Sequence, residues 1–209
     1  MKKMLLSLFQ ACLSAGYREV ENAASYAYER KETEEGIALT LFFEQSNGRV
    51  DWLNNLDFVA RPYEEMDPPW RCHAGFLKVF KSLLPYLEPH LRDPAVGRVT
   101  VVGYSHGAAL ALLFHESVWY HRPDLREKLS GFGFGCPRVL YGCVSPEIAP
   151  RWERFYVIRN EDDLVTHLPP RFAGYCHVGN LITVGEAGRY SSVDAHRPES
   201  YLAELERLE

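Results

Sequence analysis

The chain has 209 residues, of which 46% are hydrophobic and 24% charged; this supplies a real core and excludes disordered and low-complexity classes. A formal net charge of −5, with 23 scattered Lys and Arg, leaves no basic patch able to neutralise a row of phosphates, so nucleic acid is excluded as the main partner. No apolar run reaches the roughly 18 to 20 residues of a membrane span, and the length argues for a single domain over residues 1–209, since domains run to about 100 to 200 residues.

In chain order, Lys2 and Lys3 followed by MLLSLFQACLSAG are similar to a short secretory signal within residues 1–16. The apolar core is short and interrupted by Gln10, which favours an amphipathic first helix carrying Leu5, Leu6, Phe9 and Leu13. On that reading a cytoplasmic location is favoured over a secreted one. Residues 25–30 alternate in polarity, KETEEG makes a turn and residues 37–43 are strongly β-prone, which predicts a β-hairpin. Residues 46–72 mix Asn, Gly, Asp and Pro with isolated large apolar residues and read as a long functional loop with short helical pieces.

From Gly75 onward, Phe76, Val79, Phe80, Leu83, Leu84 and Leu87 recur at helical spacing, with a kink expected at Pro85. Residues 99–102 form a short continuous apolar run suited to a strand buried on both faces, and an apolar helix follows over about 108–119. Further strands are expected at 132–135, 155–158 and 181–184, with a charged helical stretch at 124–129. Strands alternating with helices predict an α/β fold with a largely parallel sheet covered on both faces. Cys12, Cys72, Cys136, Cys143 and Cys176 form no C-x-x-C pair, so reduced, buried thiols are expected in place of a disulfide framework or zinc site.

The sharpest chemical signal is VTVVGYSHGAALALLF, where Gly103, Ser105 and Gly107 make a G-x-S-x-G between a strand and a helix. A serine on a tight, strained turn projects its hydroxyl above the sheet edge, and flanking glycines remove side chains that would clash there. The following helix N-terminus suits a developing oxyanion. A serine nucleophile needs a base and an acid later in the chain. His167, His177 and His196 are the candidate bases; His196 lies in a polar loop after the last strand, whereas His177 directly precedes a strand and reads as structural. Asp162, Asp163 and Asp194 are the candidate acids.

These motifs in order resemble the class 3 lipase family of the fungal triacylglycerol-lipase type, with the α/β-hydrolase fold. HAGFLKVF resembles the family's H-x-G-F helix opening, GYSHG its nucleophile elbow and FGCPRV its F-G-x-P-R strand end. NEDDLVTHLPP resembles the acid loop, which aligns the carboxylate with Asp163. YCHVGN resembles a structural H-V-G segment, and DAHRPESYL resembles the terminal H-x-x-x-x-Y, which selects His196. The resemblance covers residues 24–205. It implies Ser46, in the family's R-G-S/T loop, and His106, the residue after the nucleophile, as oxyanion-hole donors. Glu44 and Gln45 replace the usual Arg and Gly of that loop.

The resemblance thus implies a carboxylic ester hydrolase working through an acyl-enzyme. Ser105 is the expected nucleophile, His196 the base and Asp163 the acid, with no cofactor and no metal. The expected substrate is a lipid or other small-molecule ester, with transient contact to a lipid interface and no membrane span. Trp52, Leu53 and Leu56 either form a short lid or pack beneath the loop. The alternatives are an esterase for short or aromatic (feruloyl-type) acyl groups and an inactive binding protein of the same fold.

Overall fold

Apolar side chains alternate along the central strands, so each strand feeds two cores, one on each face of a sheet. The computed structural model describes residues 2–20, 24–44 and 58–208. The described elements begin with α1 (Lys2–Ser14), β1 (Tyr26–Thr33), β2 (Gly36–Phe43), β3 (Ala60–Tyr63), β4 (Trp70–His73), α2 (Ala74–Arg92), β5 (Val96–Tyr104) and α3 (His106–His121). They continue with β6 (Leu129–Phe134), β7 (Leu140–Tyr141), β8 (Phe155–Asn160), β9 (Tyr175–Cys176), β10 (Asn180–Val184) and α4 (Pro198–Arg207).

The main sheet has the order β1-β2-β5-β6-β8-β10. Only β1 runs antiparallel to its neighbour; every later pairing is parallel. This is the expected α/β-hydrolase arrangement with its N-terminal hairpin. The hairpin turn is tighter than KETEEG suggested, because Thr33 pairs with Gly36 and the charged run continues β1 as a solvent-facing extension. Leu39, Leu41, Phe43, Val99 and Val101 face one core with α2 and α3. Phe42, Val102, Tyr104, Phe134 and Ile158 face the other with Leu5, Phe9 and Cys12 of α1 and Tyr201 and Leu205 of α4. The amphipathic α1 therefore has a definite partner surface, and its Phe9 ring lies 5.3 Å from Tyr104 and 5.7 Å from Tyr201.

Two expectations change. Residues 60–73 are not loop and helix: β3 and β4 pair and, with β7 and β9, form a second, four-stranded sheet. Strands of two to four residues, one holding Pro62, are too short for a two-residue period to show. The charged helical stretch is a 3-10 helix over Pro123–Lys128, and α2 holds Pro85 and Pro89 within its span. Of the cysteines, Cys12, Cys72 and Cys136 are buried, but Cys143 is exposed and Cys176 half-exposed.

A buried ion pair fastens the second sheet to α3. Arg151 donates to Glu116 at 2.8 Å, and the Trp70 indole on β4 donates to the same carboxylate oxygen at 2.7 Å. Arg151 also donates to the Pro68 carbonyl at 2.9 Å. Glu116 sits within thirteen consecutive buried residues of α3, a helix surrounded by protein on all sides.

Candidate active site

Strand register decides which residues meet. Phe43 pairs with Gly103, Tyr104 with Phe134, Phe134 with Ile158 and Asn160 with Val184, so these strands end on one edge of the sheet. Ser105 stands at that edge between β5 and α3, with φ 56° and ψ −122°, the one described non-glycine residue with positive φ. Such a conformation costs on the order of 1–3 kcal/mol and is kept only where its surroundings fix it. The fixing is close packing. A Cβ on Gly103 would come within 2.2 Å of the Gly107 carbonyl oxygen, and one on Gly107 within 2.2 Å of the Phe43 carbonyl oxygen. The Ser105 N–H donates to the Phe134 carbonyl at 2.9 Å, tying the turn to β6.

Two loops bring the other groups to this serine. His196 Nε2 lies 2.8 Å from Ser105 Oγ, and His196 Nδ1 lies 2.8 Å from Asp163 Oδ2. Asp163 follows β8 and is fully buried. Its Oδ1 accepts from the Val165 N–H at 2.8 Å, and its Oδ2 accepts from the Tyr201 hydroxyl at 2.6 Å. The Tyr201 hydroxyl in turn accepts from the Asn160 N–H at 3.0 Å. The histidine loop is pinned at its backbone: Tyr104 donates its hydroxyl to the His196 carbonyl, and Asn160 donates its amide to the Ala195 carbonyl at 3.0 Å. The Tyr104 ring also stacks on the imidazole, with centroids 5.3 Å apart. Ser105, His196 and Asp163 are thus joined in one hydrogen-bonded line.

The rival candidates are engaged elsewhere. Asp162 accepts from the Gly188 N–H at 2.8 Å, and Asp194 accepts from the Ser191 hydroxyl at 2.6 Å and pairs with Arg197. His177 Nε2 lies 2.7 Å from the Thr166 carbonyl, and desolvation pushes its pKa down to about 4. His167 is exposed, and its carbonyl accepts from Arg138. His106 opens α3 directly beside Ser105, where the first N–H groups of a helix lack intrahelical partners. Its imidazole is buried and neutral, driven down to about 4 by burial and then by His73. Ser46 lies outside the described residues, as do Trp52, Leu53 and Leu56.

Sequence reasoning left Tyr104, Asn160 and Tyr201 without roles. Tyr201 stood in the motif that selected His196, but nothing in its spacing says that its hydroxyl turns back to Asp163. Among the described residues no three His, Cys, Asp or Glu side chains are grouped to hold a metal, and no helix is long and apolar enough to cross a membrane. A cavity of about 620 Å³ lined by Tyr63, Leu84, Leu91 and His121 lies at the opposite end of α3 and takes no part in this arrangement.

Known proteins share this plan. The family described as Lipase (class 3) matches residues 40–173. A lipase from Rhizopus niveus is 31% identical over 144 residues, 66% of this chain and 36% of the relative. A secreted mono- and diacylglycerol lipase from Malassezia restricta is 28% identical over 140 residues, 62% of this chain and 42% of the relative. The structure of the lipase from Rhizopus microsporus var. chinensis is similar in fold, with a TM-score of 0.66 at 21% identity, covering 90% of this chain and 70% of that one. The chain thus spans little more than a third of the length of the Rhizopus niveus relative. These relatives correct the cytoplasmic expectation: the Malassezia proteins are secreted lipases, and a helical α1 that packs Leu5, Phe9 and Cys12 into the core is no evidence of location. By its family match and its similarity to these lipases, the chain belongs to the class 3 lipase family.

Proposed function

We propose that this protein is a serine ester hydrolase acting on lipid or other carboxylic esters through an acyl-enzyme. The observation that carries this reading is the Ser105–His196–Asp163 line, with both links at 2.8 Å. Ser105 Oγ attacks the ester carbonyl while His196 Nε2 takes its proton, and the same nitrogen returns the proton to the leaving alcohol. Asp163 holds the Nδ1–H tautomer and stabilises the imidazolium. A water then repeats the cycle on the acyl-enzyme, releasing the acid and restoring Ser105.

Charge develops on the carbonyl oxygen only as the tetrahedral intermediate forms, so donors waiting at that point lower the barrier without tightening ground-state binding. We assign one such donor to the His106 backbone N–H, at the α3 N-terminus. Ser46 is the second, on the family resemblance. Membership of a lipase family and similarity to the Rhizopus and Malassezia lipases support ester substrates of the acylglycerol type.

A fluorophosphonate probe tests the reading, because it labels only an activated serine. Labelling that disappears in Ser105→Ala is expected, together with turnover of p-nitrophenyl esters in a panel from acetate to palmitate. Absence of labelling in the parent protein would replace the enzyme with a binding protein of the same fold. Turnover confined to acetate or aromatic esters would move the substrate class to short or aromatic acyl groups.

A further inference from the structure

Along a run of rings that starts at His106, the residue after Ser105, the protein buries polar atoms that nothing described satisfies. His106 Nδ1, His73 Nε2 and the Tyr175 hydroxyl are each buried without a hydrogen-bond partner among the described residues. The three residues are 8%, 7% and 1% exposed. An unsatisfied buried donor or acceptor costs on the order of 1–3 kcal/mol, so three together require a reason. They are joined by one run of ring contacts: Phe76 to His106 at 5.5 Å, Phe76 to His73 at 4.6 Å and His73 to Tyr175 at 5.9 Å between centroids. That run ends on the residue that follows the nucleophile.

Their chemistry is neutral and largely donating. His73 Nδ1 accepts from the Gly75 N–H at 3.2 Å, which leaves the ring proton on Nε2. Burial lowers the pKa of both imidazoles, so neither offers a cation to an anionic group at neutral pH. The Tyr175 hydroxyl is a further donor.

We propose that His106, His73 and Tyr175 form a polar subsite for the acyl part of the ester, favouring chains that carry a hydrogen-bonding oxygen, such as a keto group, over plain alkyl chains. This rests on Ser105 being the nucleophile of an ester hydrolase. The acyl part is indicated by the two faces of the sheet. Tyr104, stacked on His196, belongs to the core on the α1 and α4 face, whereas Phe76, packed on His106, belongs to the α2 and α3 face. The alcohol must leave beside His196, which protonates it, so the side of His106 and Phe76 is left for the acyl chain. A keto oxygen there accepts from donors that are otherwise unpaired, and a plain methylene leaves them so.

The test compares p-nitrophenyl octanoate with isomers carrying one keto group along the chain, each rate normalised to that ester's hydrolysis by hydroxide. The parent protein is expected to prefer at least one keto isomer by about ten-fold or more in kcat/KM. Tyr175→Phe is expected to reduce that preference roughly three-fold or more without lowering the unfolding temperature, since it deletes an unpaired hydroxyl. His106→Leu is expected to reverse the preference toward plain octanoate. Ratios within about two-fold of unity for every isomer, or a preference that survives in both variants, would overturn the subsite while leaving the hydrolase intact. Absence of both turnover and fluorophosphonate labelling in the parent would overturn the hydrolase reading and the subsite with it.

Discussion

Asp163 and Glu116 are both fully buried carboxylates, yet they stand in opposite situations. Asp163 lies at the sheet edge, with a backbone N–H, a tyrosine hydroxyl and a histidine as partners. No fixed positive charge is bonded to it, and the imidazole beside it reaches on to Ser105. Glu116 lies inside α3, bonded through one oxygen to an arginine and an indole, with its Oε2 unpartnered. Desolvation pushes Glu116 up to about 7 against the pull of Arg151. Burial alone therefore does not mark a reacting group. What separates the two is the partner: Asp163 faces a group that can gain and pass on a proton, and Glu116 faces one that cannot.

The heaviest losses are expected around Asp163. Ser105→Ala and His196→Ala are each expected to reduce turnover by on the order of a million-fold with the fold intact, because nucleophile and base act as one unit. Asp163→Ala should lower it less, by roughly ten-thousand-fold. Steady-state kinetics alongside thermal unfolding check both. A larger loss in Asp162→Ala or Asp194→Ala than in Asp163→Ala would move the acid elsewhere.

At Glu116 the expected effect falls on stability. Glu116→Ala at a pH of about 8, where the carboxylate is ionised, should cost about 3–5 kcal/mol in denaturant unfolding, because it leaves the Arg151 guanidinium buried and unpaired. Turnover per folded molecule should stay close to the parent value. The pH dependence has a definite sign. Glu116 is raised from 4.5 to about 7 on folding, so its contribution to stability is complete below about 4.5 and is lost as pH rises through about 7. Relative to Glu116→Gln, the parent should lose on the order of 2–3 kcal/mol of unfolding free energy between those limits. A flat difference across that range would mean that Arg151 holds the carboxylate ionised throughout.

The two carboxylates also differ in how far the sequence reveals them. Asp163 sits in a loop motif just after a strand, in the order that a serine nucleophile requires; position admits Asp162 and Asp194 as well, and the family resemblance singles out Asp163. Glu116 is one acidic residue in LLFHESVW, where helical periodicity puts no polar stripe and the partners, Trp70 and Arg151, are 46 and 35 positions away. The second sheet was hidden for a related reason. Its strands are too short to alternate visibly, and their register is set by contacts across the fold. The main sheet, whose strands run to five to nine residues and hold short apolar or alternating stretches, was legible almost strand by strand.

Tyr201 gives Asp163 a neutral donor where Glu116 has Arg151. Tyr201→Phe keeps the ring that packs 5.7 Å from Phe9 and 6.0 Å from Tyr104 and removes only the hydroxyl. Two bonds go: the 2.6 Å donation to Asp163 Oδ2 and the acceptance from the Asn160 N–H. A modest fall in stability, about 1–3 kcal/mol, follows from the unpaired N–H whatever the hydroxyl does for catalysis. The informative readout is kcat per folded molecule. The Tyr201 hydroxyl holds Asp163 Oδ2 against the His196 Nδ1–H, and without it the carboxylate is less firmly placed to orient the imidazole. A roughly three- to ten-fold lower kcat at a nearly unchanged KM is expected. A variant that loses stability but keeps the parent's kcat would make Tyr201 a packing residue only.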